Sequence, residues 1–327
     1  ALIMFIVYFF MDRKLDAQTG EAEEKDEPFQ IKDLGQILTS SGFWLVALLC
    51  VLYYSAIFPF QKYGANMLQC NLGISATAAS NIFRWFPIGA AIITPFLGRF
   101  LDKKGKGATM LMFGSLLLIV CHLVFAFVVP ATQSAFIAYA TIVILGISFA
   151  LVPAALWPSV PKIIEEKLLG SAYSLIFWVQ NIGLFFVPML IGSVLASVNE
   201  DNVAVKMAQN EIEIIKEIKT DVKNLDHDLT LEDVESLTTK ADSLYSAAQI
   251  DSTKVAPIKS MIKENTNRDD LYVKMTDKAD SVLVPYNYTV PLVIFACFGI
   301  AALLVAIYLK IYDKKRNLGL EEPNIKE

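Results

Sequence analysis

The sequence predicts an all-α, polytopic membrane protein, and three observations carry that prediction. Of 327 residues, 55% are hydrophobic and 19% charged, with mean hydropathy +0.49, where soluble domains run near ~45–50% and ~25%. Six apolar runs are each long enough to cross a bilayer, and basic residues collect in alternate connections between them. Hydrocarbon offers the backbone no hydrogen-bond partner, so such runs must be helices.

Taken in order, the opening ALIMFIVYFF is apolar but too short to span, since about 20 residues are needed. Segment 1–11 therefore reads as the end of a truncated membrane helix. Segment 12–42 follows as a linker, and its AQTGEAEEKDEP stretch is polar, acidic and without apolar periodicity. The spanning runs are 43–60, 76–100, 108–129, 135–160, 172–198 and 288–311. Five membrane helices thus occupy 43–198, a sixth occupies 285–312, and 313–327 is a tail.

Between the fifth and sixth runs lies 199–284, with 11 basic and 18 acidic residues. Val203, Ile212, Ile215, Ile218, Val222 and Leu225 recur at helical spacing, and Leu231, Val234, Leu237, Ala241, Leu244 and Ala248 do so again. Thr230 with Asp233 fits a capping box. The expectation is a helical-hairpin insertion followed by a less regular return, serving either as a solvated spacer or as a surface for a protein partner.

Placing the linker in the cytoplasm puts 15 basic residues on that side with the tail, while the opposite short loops hold only Lys62. The positive-inside rule favours this orientation and exempts the long insertion, which is then exoplasmic. Localisation follows as a multi-pass membrane protein, in the inner or plasma membrane if bacterial and the lysosomal membrane if eukaryotic. Cys50, Cys70, Cys121 and Cys297 form no CxxC or Cys/His spacing. No cofactor, metal or disulfide framework is expected.

The stretch GRFLDKKGKG at 98–107 sits between two apolar runs. A phosphate-binding loop would need glycine where Lys103 stands, Ser or Thr after Lys106, and a preceding strand. A nucleic-acid patch would need a folded basic and aromatic platform. A turn suits every residue type: Gly98 for close helix approach, Gly105 for positive φ, Asp102 to accept amide protons or face a helix N-terminus, and the lysines to hold the loop in the cytoplasm. The pattern of Gly98, Asp102, Lys103, Gly105 and Lys106 resembles the G-x-x-x-D-K-x-G-K signature between the second and third helices of each half of the major facilitator superfamily, the twelve-helix secondary transporters. Gly107 stands where that family usually has a second basic residue.

With YYSAIFPF (53–60), ALWPSVP (155–161) and LGSAYSLIFWVQNIGL (169–184), the chain is similar to the dipeptide-carrying branch of that family, lysosomal and bacterial. The resemblance implies a six-helix second half, helices seven to twelve, whose partner is a missing N-terminal half. It also implies a small-molecule substrate bound near the midplane and a gating role for Gly98, Asp102, Lys103, Gly105 and Lys106. It does not cover the insertion.

Polar groups inside membrane helices are default site candidates. Arg84 lies about 13 Å into its helix and offers a fork for a carboxylate, against an ion pair or carbonyl contact inside the bundle or a position nearer the exoplasmic rim. Asn81 shares its face. Gln180 and Asn181 sit mid-helix in VQNIG, lining the cavity or bonding another helix. Tyr53 and Tyr54 are cavity walls, or pack against lipid or core. His122 is either a packed neutral imidazole, the favoured reading, or a carrier of a coupled proton.

The function these residues support is secondary transport of small polar solutes, dipeptides first, by alternating access. The alternative is a transporter-derived receptor or scaffold whose exoplasmic insertion binds a partner. Neither a nucleophile with its base, nor a metal cluster, nor a carboxylate pair is present, so an enzyme is not expected.

Overall fold

A computed structural model describes residues 8–11 and 31–324, with side chains from Leu34 onward in the second stretch. The expectations for 1–7 and for linker residues 12–30 lie outside these residues. Every regular element described is a helix. A short α1 (Ile31–Thr39) leads into α2 (Ser41–Leu72), which Ser40 caps by accepting the Phe43 N–H at 3.3 Å. Gly73, at φ 63°, ends it by donating to the Gln69 carbonyl.

The second apolar run departs from the single expected helix. It forms α3 (Ala76–Phe83) and α4 (Trp85–Lys104), broken at Arg84. The cause is Pro87: it lacks the N–H that would bond the Phe83 carbonyl, and its ring crowds that carbonyl. Among the described residues five helices are long and apolar enough to cross a membrane, namely Ser41–Leu72, Gly107–Thr132, Ala135–Ser159, Glu166–Asn199 and Thr289–Arg316.

A second proline shapes the next helix. After α5 (Gly107–Leu123) the chain widens to a π turn over Val124–Val128 before α6 (Val129–Thr132). The Val129 N–H reaches back to the Val124 carbonyl, and Pro130 has no N–H to give, which leaves the Phe125 carbonyl without a helical partner. Asn71 supplies one, its Nδ2 donating to that oxygen at 3.1 Å.

Then follow α7 (Ala135–Leu156), capped by Ser134, and α8 (Leu169–Asn199). The last membrane helix, α13 (Thr289–Arg316), packs on α5 and α2; α4 and α5 pack on α7; and α8 packs on α2. Within this bundle Phe60 and Phe295 flank His122 with ring centroids 5.1 and 5.4 Å away, and Phe125 packs on Phe60 at 5.7 Å. His122 is fully buried, and its Nδ1 bonds the Leu118 carbonyl at 2.8 Å. A packed imidazole is what the structure holds there.

The insertion is four helices, not a hairpin with an irregular return: α9 (Val203–Asn224), α10 (Leu231–Ala247), α11 (Ser252–Glu264) and α12 (Arg268–Ser281). The return escaped notice because its apolar face is thin. Val255, Ile258, Ile262, Leu271, Met275 and Ala279 are its buried members, and Asp251 and Asn267 cap its two helices through their side chains. Together the four bury a core of their own around Ile215, Ile218, Tyr245, Ile258 and Met275. Asn199 closes the base: its Nδ2 donates to the Asn287 carbonyl at 3.2 Å and its Oδ1 accepts the Asn287 N–H at 2.7 Å. The chain therefore leaves the bundle and returns to it at one point.

At the α9–α10 turn Thr230 and Asp233 form a reciprocal capping box. Hydrogen bonds from the Thr230 hydroxyl and N–H hold the Asp233 carboxyl below its ordinary value. Beside it, His227 is raised above 6.5 by the Asp228 carbonyl and by the Asp233 and Asp226 carboxylates. A raised histidine contributes stability that is present below its unfolded value and lost as pH rises through the folded one. His227→Gln should accordingly lower the melting temperature of the protein at pH 6 but not at pH 9.

Ile258 is completely buried, so Ile258→Ala should cost about 2–5 kcal/mol within the insertion. Hydrogen exchange checks it: faster exchange should be confined to 203–281, and acceleration in the membrane helices would show that the two cores are one.

Candidate functional site

Two separate places in the bundle carry the candidate residues. The first comprises the polar groups of α2, α3, α8 and the Arg84 break. Asn81 and Arg84 are both exposed, and the guanidinium Nη2 donates to Asn81 Oδ1 at 2.7 Å. The pair shares a face because the residues stand three apart at the end of α3. Asn181 is exposed on α8, and its neighbour Gln180 is buried with Oε1 accepting the Cys50 S–H at 3.2 Å.

Tyr53 is not a cavity wall. It has no exposed surface, and its hydroxyl lies 2.8 Å from Ser148 Oγ, which itself donates to the Gly114 carbonyl at 2.8 Å. That chain ties α2 to α7 and α5. Tyr54 is buried as well, stacked on Phe58 at 5.3 Å with Phe149 edge-on to it. Both tyrosines, like Gln180, face inward because α2 lies at the centre of the half, in contact with α8, α13 and α3.

The remaining polar groups stand at different levels. Phe83, next to Arg84, packs against Gly64 of α2, whereas Gln180 bonds Cys50 of the same helix. At 1.5 Å per residue those landmarks are about 21 Å apart. A dipeptide extends only about 7 Å. The structure therefore does not bring Arg84–Asn81 and Gln180–Asn181 to one small solute. The level of Asn181 is the deeper: Gly183, two residues away, sits against Ser55 and Val51 in the middle of α2, while Arg84 lies towards the insertion end.

α8 itself is the least enclosed of the spanning helices, with 22% of its apolar window buried against 67% for α2. Trp178, 65% exposed, and Phe185, Phe186 and Met189 lie on its open surface with Asn181.

The second place is the turn at 98–107, at the opposite end of the bundle. α4 runs on to Lys104, Gly105 turns the chain at φ 68° and Lys106 at φ 71°, and α5 begins at Gly107. Two expectations fail here. A side chain at Gly98 would meet open space, so nothing described approaches it closely; α7 packs on another face of α4. Asp102 does not cap a helix: its Oδ1 accepts only the Asn324 Nδ2, at 3.2 Å. Lys103 and Lys104 are exposed.

The carboxylate on the N-terminus of α5 is Glu321. Its Oε1 accepts the Thr109 N–H at 2.7 Å, and the Thr109 hydroxyl lies 2.9 and 3.0 Å from its two oxygens. Lys106 and Lys310 approach it to 3.9 Å. The segment 318–324 reaches this place because Asn317 (φ 52°) and Gly319 (φ 78°) reverse the chain after α13. The buried Asp313 accepts the Leu320 N–H at 2.9 Å, and Leu320 is itself 1% exposed. Sequence reasoning missed this contact. The available signals were the Asn-Leu-Gly helix stop and the glycine at 107 where the family signature is basic.

A family model described as Major Facilitator Superfamily matches residues 1–188. The chain is 29% identical over 201 residues to a Homo sapiens protein named lysosomal dipeptide transporter MFSD1, covering 60% of this chain and 41% of that protein. It is 31% identical over 199 residues to the Danio rerio protein of the same name, again covering 60% and 41%. The chain thus spans about two fifths of the length of these relatives. With more than half of its residues matched by the family model, the chain belongs to the Major Facilitator Superfamily, a family of membrane transporters and not of enzymes.

Proposed function

We propose that this chain is the second half of a secondary transporter that carries small polar solutes, dipeptides first among them, by alternating access. The observation that carries the reading is the Arg84–Asn81 pair: a guanidinium inside an apolar run, exposed on the bundle surface and oriented by an amide at 2.7 Å. A charge on a lipid-facing surface is costly, so such a group belongs to a water-filled cavity between halves. The curated relatives named as dipeptide transporters support the substrate class.

In this reading Arg84 meets the substrate carboxylate at the vestibule on the insertion side, and Asn181 serves the deeper site near the midplane. The open face of α8 packs against the N-terminal half. The end carrying Lys103, Lys104, Lys106 and Lys310 lies in the cytoplasm, which puts the insertion on the exoplasmic side. The turn at 98–107 closes the cytoplasmic end.

Arg84→Ala should lower kcat/KM for a dipeptide by about 10- to 100-fold, the worth of one or two charged hydrogen bonds. A dipeptide amide, lacking the carboxylate, should be carried equally by both proteins in vesicle uptake. If the variant carries the free dipeptide as well as the parent does, Arg84 takes no part.

The insertion's separate core favours one further reading, a receptor or scaffold whose partner binds 199–284. Replacing 201–285 by a short flexible linker discriminates. Uptake should survive with less than a twofold change, since Asn199 and Asn287 already lie side by side. Loss of uptake in a correctly inserted protein would move the function into the insertion.

A further inference from the structure

The segment 318–324 touches two connections and the end of α13 at the basic end. Its carbonyls at Glu321 and Leu320 accept the N–H groups of Lys106 and Gly107, each at 3.0 Å, and the Asn324 N–H reaches the Leu101 carbonyl at 3.4 Å. The Glu322 carbonyl accepts from Lys162 Nζ at 2.9 Å, in the connection between α7 and α8. Lys310 of α13 donates to the Thr109 hydroxyl at 2.6 Å, completing the ring around Glu321.

The glycines of the turn are shaped to this segment. A methyl group on Gly107 would stand 2.7 Å from the Leu320 carbonyl oxygen, and one on Gly105 would overlap the backbone of Glu321 and Glu322. A basic side chain at 107 and a seated 318–324 segment therefore exclude each other.

We propose that 318–324 is a strap that positions the gating turn, holding α4–α5, α7–α8 and the end of α13 as one body, with Glu321 as its anchoring residue. This rests on the transport reading, and it explains why this chain has glycine at 107. Among the described residues the strap contacts join elements of this one half, so a rigid-body movement of the half leaves them in place. The strap stays seated while the halves move, and it sets how well the cytoplasmic end closes.

The test uses the full-length protein in three forms: Gly107→Arg, deletion from Leu318 onward, and both together, with Glu321→Gln as the milder variant should the others fold poorly. Hydrogen exchange at the Lys106, Gly107 and Leu320 amides reports seating. A reporter cysteine replaces exposed Ser174, two turns before Asn181 on the same face of α8, in a background whose native cysteines are replaced by alanine. Its alkylation from the cytoplasmic side by an impermeant maleimide reports opening.

Gly107→Arg should unseat the strap, raise Ser174→Cys labelling about fivefold and lower uptake by a similar factor, at the low end of conformational couplings. The double variant should be no worse than the deletion, because both remove the same contact. Glu321→Gln should shift labelling in the same direction by less.

Fast exchange with unchanged labelling and uptake would overturn the gating role, and slow exchange in Gly107→Arg would overturn the fit between glycine and strap. A parent that carries no tested solute, yet shows the labelling shift, would leave the strap standing and remove the transport reading.

Discussion

Inside hydrocarbon the backbone has only itself to bond to, and the arrangement of this bundle follows from that restriction. Long uninterrupted helices satisfy it automatically. The instructive places are the two interruptions, both caused by proline. At Pro87 the helix restarts after Arg84, and the polar pair Asn81–Arg84 occupies the break. At Pro130 the chain widens by a π turn, and Asn71 donates to the carbonyl left over. At both interruptions a polar side chain is at hand, Asn81 and Arg84 at the first and Asn71 at the second.

At the basic end a different balance applies. The lysine–glutamate pairs around Glu321 are 3.9 Å long, and Lys106 is 58% exposed, so each contributes at most about 1 kcal/mol. A carboxylate accepting a helix N-terminal amide and a hydroxyl is worth roughly 1.5–3 kcal/mol per charged bond. Glu321 is therefore held by Thr109, while Lys106 and Lys310 offset its charge. Gly105 and Gly107 contribute space rather than bonds, which is why their part is invisible until the strap is in place.

Much of the architecture was legible in the sequence, for identifiable reasons. The apolar runs and the Thr230–Asp233 box depend on residues a few positions apart, and so do the Ser, Asp and Asn caps. What could not be read depends on contacts between distant residues. Between cavity wall and core, Tyr53 is decided by Ser148, 95 positions away at its hydroxyl. Arg84 and Asn181 are both site candidates by residue type, and only the contacts with Gly64 and Cys50 place them at different levels. Glu321 lies 212 positions from Thr109. The second half of the insertion was missed for a local reason: α11 and α12 carry too few apolar residues for periodicity to stand out, although their caps were present.

The π turn at Val124–Val128 also sets a phase. One extra residue in a helical turn rotates everything beyond it by about 100° relative to an unbroken α-helix. Residues 107–123 can therefore aim one stripe at α7 and α13, while 129–132 aim theirs by a separate setting. Asn71 works as the detent of this angular offset, since its amide suits the widened register and would lose its acceptor if the turn tightened. A single amide on α2 thereby bonds the carbonyl that the offset leaves over in a neighbouring helix.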